Sequence, residues 1–200
     1  MATPAEIPTD GRVQRSERSR EAIVQAMLNL IAEGTPSPTA QQVAERADVG
    51  VRTVFRHFSD MDTLFATMNE RLTTSLSDLF VDTTQEGPLR ERLVSLIDRR
   101  FQTFAKIGPY YQSGARQRAR SPFLQEQHSR NVRTFKQDLR RWLPEVEQAE
   151  ASVAEALELA LSYEAFDRLR VDQKLTFKRA CDVVRTIVNA LAAGLPESSR

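Results

Sequence analysis

Apolar residues recur at steps of three and four through most of the 200 residues, and the pattern restarts wherever glycine or proline interrupts it. Ile23, Met27, Leu30 and Ile31 form one such stripe, and Leu64, Met68, Leu72, Leu76 and Leu79 form another. That period stacks side chains on one face of an α-helix. Nowhere do β-branched residues alternate with polar ones as a half-buried strand requires. The predicted fold is therefore all-α, with about nine helices.

Punctuation divides the chain. Residues 1 to about 15 hold Pro4, Pro8 and Gly11 with few apolar side chains, and they are predicted to form a disordered basic arm. A first helix is expected from about Ser16 to Glu33, where Gly34 stops it and Pro36 and Pro38 prevent its continuation. Thr39 and Gln42 have capping-box spacing, so a short helix follows from about Thr39 to Ala47. After Asp48-Val49-Gly50 a second short helix is expected from about Val51 to His57. Ser59 or Asp60 caps the next, which reads to about Phe80. Beyond Gly87-Pro88 a helix runs from Leu89 to about Ile107 and breaks at Gly108-Pro109, with a short basic helix over about Tyr111 to Arg120. Ser121-Pro122 starts another, ended by Pro144. Two last helices are expected over roughly Val146 to Arg170 and Asp172 to Leu195.

Composition narrows the class. Twenty-eight Lys and Arg against 27 Asp and Glu leave a net charge of +1, but the charges are segregated. Arg12 to Arg20 is basic, Arg116 to Arg141 is basic, and Glu145 to Asp167 contains no Lys or Arg. The last two blocks either neutralise one another between neighbouring helices, or the basic block binds a polyanion. One cysteine, Cys181, excludes an internal disulfide and fits a reducing cytoplasm; as a small apolar-face residue it reads as core. No run of about 18 apolar residues exists to span a membrane, and the polar start predicts a chain that is not secreted. Two histidines far apart and one cysteine give no metal cluster. No glycine-rich phosphate loop or nucleophile elbow appears, so no catalytic residue, metal or cofactor is expected and the chain is not read as an enzyme.

Two short helices around a tight turn, led by an apolar helix, are the sequence form of a helix-turn-helix. The segment Gln42-Val43-Ala44-Glu45-Arg46-Ala47-Asp48-Val49-Gly50-Val51-Arg52-Thr53-Val54-Phe55-Arg56-His57-Phe58, followed by Leu64, resembles the tetracycline-repressor (TetR) family of transcription regulators. The resemblance extends from about Ser19 to Leu72. It implies a DNA-binding domain over 16–58 and a larger helical ligand-sensing and dimerisation domain over 59–200.

DNA chemistry follows for particular residues. Val51 and Arg52 begin the recognition helix, where side chains reach base edges in the major groove. Arg52 can fork onto guanine O6 and N7, or else hold a phosphate; Val51 can pack on a thymine methyl. Thr53 and His57 lie four apart on one face, and the resemblance implies that they contact phosphates; His57 can equally be a helix-packing residue. Thr39 and Gln41 begin the preceding helix, whose N–H groups attract a phosphate. Three positions depart from the family's pattern. Asp48 replaces the usual turn glycine, Phe55 replaces a tyrosine and keeps only its aromatic contact, and Met61 replaces a lysine. Arg12, Arg15, Arg18 and Arg20 are expected to compensate as a flexible arm.

The wide apolar stripes of the last two helices imply packing on two sides, and family members pair through such helices into a four-helix bundle. A two-fold dimer predicts a palindromic operator. Phe101, Phe104, Tyr110, Tyr111, Phe123, His128 and Trp142 are candidates to line an effector cavity, although packing explains aromatics equally well. The reading is thus a ligand-responsive regulator, a repressor, with duplex operator DNA, an unidentified small molecule and a second copy as partners. The alternative is a helical protein-interaction adaptor that has lost DNA binding.

Overall fold

A computed structural model describes residues 11–75 and 86–195. Among these residues there are nine α-helices and no strand. The helices are α1 (Gly11–Ala32), α2 (Ala40–Arg46), α3 (Val51–His57), α4 (Met61–Ser75), α5 (Leu89–Gln117), α6 (Pro122–Trp142), α7 (Ala151–Ala160), α8 (Tyr163–Asp167) and α9 (Phe177–Ala192). They fall into two compact units. The first takes in the described residues up to Ser75 together with Pro109–Leu124, and the second takes in residues 86–108 and the described residues from Gln125 onward.

In the first unit, α1 packs on α2, α3 and α4. Its core is the stripe expected from the sequence: Ile23, Met27 and Ile31 of α1 meet Val43, Ala44, Val54, Phe58, Leu64, Phe65 and Met68, all buried. Burying each large apolar side chain contributes about 1.5–3 kcal/mol. Tyr110 packs on the edge of this core. Ser121 caps α6 by accepting from the Leu124 N–H at 3.2 Å, and its hydroxyl donates to Asp62 at 2.8 Å. Asp60, one of the two expected caps, accepts from the Thr63 N–H at 2.7 Å to start α4. The continuation expected to about Phe80 lies outside the described residues.

Three expectations need correction. First, α1 begins at Gly11 rather than near Ser16, so Arg12 and Arg15 lie on a helix and not on a flexible arm. Second, α5 runs through Gly108-Pro109 to Gln117, absorbing the separate helix expected there; only Arg118–Arg120 forms a 3-10 turn. An internal proline costs about 3 kcal/mol, and α5 continues through it all the same; the adjacent Gly108 is buried, and its carbonyl accepts from the Tyr163 hydroxyl at 3.2 Å. Third, the helix expected over 146–170 is divided. Ser162 caps α8 by accepting from the Ala165 N–H at 3.1 Å. The Leu161 carbonyl at the break accepts from the Arg100 guanidinium at 3.2 Å. A π-helical turn, Arg168–Asp172, follows α8, and α9 then starts at Phe177 under a Thr176 cap.

The second unit is built around buried ion pairs as well as apolar contacts. Arg100 is 2% exposed. It donates to Asp138 at 3.1 Å and to the Phe135 carbonyl at 2.5 Å. Arg99 also pairs with Asp138, at 2.5 Å, and stacks over Trp142. Burial lowers the Arg100 guanidinium to about 10, against the pull of Asp138 that favours its charge, so it stays charged at neutral pH. Arg92 pairs with the buried Glu145 and donates to the Trp142 carbonyl at 2.6 Å. Of the neutralisation expected between the basic and acidic blocks, Lys136–Glu158 at 3.2 Å is an instance. Other acidic groups are answered elsewhere: Glu126 by Arg130 and Arg133 within α6, and Asp138 by α5.

Candidate nucleic-acid interface

The turn between α2 and α3 sets the angle at which α3 is presented. α2 starts under a complete capping box: Thr39 Oγ1 accepts from the Gln42 N–H at 3.2 Å, and the Thr39 N–H donates to Gln42 Oε1 at 2.9 Å. The helix ends in a Schellman arrangement, with the Val49 N–H on the Ala44 carbonyl at 3.0 Å and the Asp48 N–H on the Glu45 carbonyl at 3.2 Å. Such a turn needs a left-handed residue, and Asp48 supplies it at φ 53. Val49 closes the turn by packing against the core that contains Ala44. Bidentate pairing of Arg46 with Glu33, at 2.5 and 2.7 Å, adds an exposed tie from α2 to the end of α1.

On α3, one side is spent on folding. Val54 is 1% exposed, and Val51 is half-buried against the same core, which limits what Val51 can offer a base. Arg52, Phe55 and Arg56 form the opposite side. Phe55 is 48% exposed, large for an aromatic ring with no partner in the core, and Arg52 and Arg56 are one turn apart on the same face. Thr53 is half-buried. His57 is half-buried with its Nε2 buried and without a hydrogen-bond partner. Burial first, then the positive charges of Arg56 and Arg20, hold the His57 imidazole below its ordinary value, which keeps it neutral at pH 7. Thr39 and Gln41 are exposed, and Gln41 donates to Glu45 at 2.7 Å along the α2 surface.

Arg56 was not among the residues singled out in the sequence, although its four-residue step from Arg52 pointed to it. It lines a groove of about 300 Å³ together with Arg12, Arg15, Ser16 and Ser19 of α1. Arg20, expected on the arm, instead lies over the Phe58 ring at 5.2 Å and donates to Thr67 at 3.2 Å, bracing α1 against α4.

The aromatic candidates for an effector site divide between the two units. Tyr110, Tyr111 and Phe123 belong to the first and are half-buried. Phe101, Phe104, His128 and Trp142 belong to the second. There Phe101 and Phe104 are fully buried and packed on Phe166, with ring centroids 5.0 and 5.8 Å away, and Tyr163 lies 5.6 Å from Phe104. Trp142 is buried under Arg99, and His128 is half-buried. Among the described residues no group of His, Cys, Asp or Glu could hold a metal ion, and no helix is long and apolar enough to cross a membrane.

Solved structures share the fold. A transcriptional regulator from Rhodococcus sp. Rha1 is 18% identical, with 92% of this chain and 99% of that chain covered and a TM-score of 0.67. A TetR-like transcriptional regulator from Rhodococcus sp. RHA1 is 17% identical over 94% of this chain and 100% of that one, with a TM-score of 0.58. A TetR transcriptional regulator from the same strain is 16% identical over 92% and 99%, with a TM-score of 0.51. No curated protein matches the chain. Residues 22–68, from the first core turn of α1 through the buried face of α4, match the family model of bacterial regulatory proteins, tetR family. Over these residues the chain is similar to the tetR family of bacterial regulatory proteins.

Proposed function

We propose that the chain is a one-component repressor that binds a palindromic operator as a homodimer and releases it when a small-molecule effector binds its larger helical region. The observation that carries this reading is the outward face of α3, where Arg52, Phe55 and Arg56 stand exposed on a short helix fixed from behind by Val54. A helix so mounted fits the major groove, with Arg52 near its N-terminal end in position to read guanine. Thr39, Gln41, Thr53, Phe55 and His57 are assigned to the backbone around it. Neutral His57 carries an unpartnered nitrogen, and a phosphate oxygen would draw a proton onto it.

Pairing is supported by apolar exposure in the second unit. Leu159 of α7 is 68% exposed and Ile187 of α9 is 44% exposed, on two helices that pack together. Large apolar side chains left in water on adjacent helices suit a second copy. Of the candidate residues, Phe101, Phe104, His128 and Trp142 of the second unit are assigned to the effector. It acts only through its differential affinity for operator-bound and released conformations. The work is placed in the cytoplasm, where the DNA is.

Selection of bound fragments from genomic DNA tests this, alongside light scattering of the free protein. The expected result is a palindromic consensus, with half-sites about 10–10.5 bp apart or a multiple of that, and a dimer mass at micromolar concentration. A monomer overturns the pairing. Failure to retain either genomic or random duplex DNA overturns the whole reading and favours the adaptor.

A further inference from the structure

In the second unit, the spacing Leu157, Leu161, Ala165, Leu169 keeps a helical period across the gap between α7 and α8, yet the helix is interrupted there. Ser162 is extended, with ψ 163, between the last turn of α7 and the first turn of α8. Two groups that a continuous helix joins are parted at this residue, and each has another partner. The Ala165 N–H donates to Ser162 Oγ at 3.1 Å, and the Leu161 carbonyl accepts from Arg100 at 3.2 Å. With Ser162 in helical conformation the Ala165 N–H returns to the Leu161 carbonyl, and the Ser162 hydroxyl is free to donate to the carbonyl four residues back. Arg100 then loses one acceptor and keeps Asp138 and the Phe135 carbonyl. A buried guanidinium needs its acceptors, so Arg100 favours the bent form. One backbone torsion and one hydrogen bond to Arg100 separate the two arrangements.

The geometry points to a two-state joint at Ser162 that couples the aromatic cluster of the second unit to its pairing face, with Arg100 holding the joint bent. The inference rests on the proposed reading of this unit as the region that binds an effector and pairs with a second copy. On the α8 side, Phe166 lies edge-on to Phe101 with ring centroids 5.0 Å apart, and Tyr163 lies edge-on to Phe104 at 5.6 Å. The Tyr163 hydroxyl also donates to the Gly108 carbonyl at 3.2 Å, so α8 follows α5. On the α7 side, the exposed Leu159 stands just before the joint, and α7 packs on α9, which carries Ile187. A small molecule that parts Phe101 and Phe104 from Phe166 and Tyr163 displaces α8. The joint passes that displacement to α7 as a change in the angle at which Leu159 is presented. Two discrete hydrogen-bonding patterns make the element bistable, and the molecule shifts it by its differential affinity for the two.

The test places spin labels on the full chain at Ser152→Cys and Glu164→Cys, both exposed positions, with Cys181→Ser so that these are its only cysteines. A continuous helix sets the two α-carbons about 18 Å apart, and a bend gives a different separation. Arg100→Met and Ser162→Ala, singly and together, are expected to move the measured distance toward the continuous-helix value. Ser162→Thr, which keeps a capping hydroxyl, should not. Circular dichroism melting shows which variants are folded, and Ser162→Ala leaves the buried ion pairs untouched should Arg100→Met not fold. A distance unchanged in folded Ser162→Ala and Arg100→Met proteins overturns the joint. Sedimentation equilibrium of the unlabelled proteins reads the coupling: the dimer dissociation constant of the double variant is expected to change by about fivefold or more. A shifted distance with an unchanged dissociation constant overturns the coupling. A monomeric unaltered protein overturns the pairing reading and the coupling with it, whereas the label distances still decide the joint.

Discussion

Arginine is used in opposite ways in the two units. In the first, Arg12, Arg15, Arg52 and Arg56 stand on the surface of helices whose inner sides are wholly apolar. In the second, Arg92, Arg99 and Arg100 turn inward onto Glu145, Asp138 and backbone carbonyls. The first arrangement keeps the guanidinium groups hydrated and costs the fold little. The second consumes them: a buried guanidinium must be paired and hydrogen-bonded or its desolvation is unpaid. Net charge therefore says little about where a ligand of opposite sign binds. Partner geometry decides it.

The contrast breaks most visibly at Asp138, which answers two arginines at once. Asp138→Ala leaves both guanidinium groups without their carboxylate, and the expected loss is about 3–5 kcal/mol of folding stability, measured by denaturant unfolding. Removing an outward cation such as Arg52 should change stability by less than about 0.5 kcal/mol. Comparable losses from both would erase the distinction between inward and outward arginines.

A smaller effect is expected at the turn of the first unit. Asp48 sits at φ 53, where a β-branched side chain is strained, so Asp48→Val should cost about 1–2 kcal/mol. Asp48→Gly should be neutral within about 0.5 kcal/mol, because glycine adopts that conformation freely. The ranking, read from unfolding midpoints at constant slope, is what matters; valine equal to glycine would remove the left-handed turn from the account.

The smallest effect is one of pH. The His57 imidazole is held below its usual value in the folded protein, so below pH about 6.5 the unfolded chain binds a proton that the folded one resists. Its contribution is thus complete above that pH and is lost as pH falls toward the folded value. A shallow decline in melting temperature on acidification below 6.5 is expected, reduced in His57→Gln. An identical decline in the variant would show that other groups cause it.

Local signals were legible in the sequence and long-range ones were not. The Thr39–Gln42 capping box, the bounds Val51–His57 and the left-handed turn at Asp48 each depend on residues within a few positions, and each stands as expected. Gly34, expected to stop α1, does so at φ +96. The break at Leu161-Ser162 was not legible, because the apolar stripe continues across it and the freed carbonyl is satisfied by Arg100, 61 residues away. Gly108-Pro109 pointed the other way: the proline was expected to end the helix, but α5 continues through it to Gln117. Basic residues at Arg12 and Arg15 were read as an arm, since the polar composition before Ser16 hides a helix start. At the candidate interface, Arg52 could be named from its place at the start of the short helix and Thr53 and His57 from the family resemblance, whereas Arg56 was passed over although its four-residue step from Arg52 put it on the same exposed face.

The central claim is that the outward face of α3 reads bases, and selection of genomic fragments by the unaltered protein and by Arg52→Ala tests it most directly. The account predicts that the variant melts at the same temperature and still retains duplex DNA. Its consensus, however, loses preference at one symmetric pair of operator positions, a discrimination of about 1–3 kcal/mol. An unchanged consensus from a folded Arg52→Ala protein would contradict it.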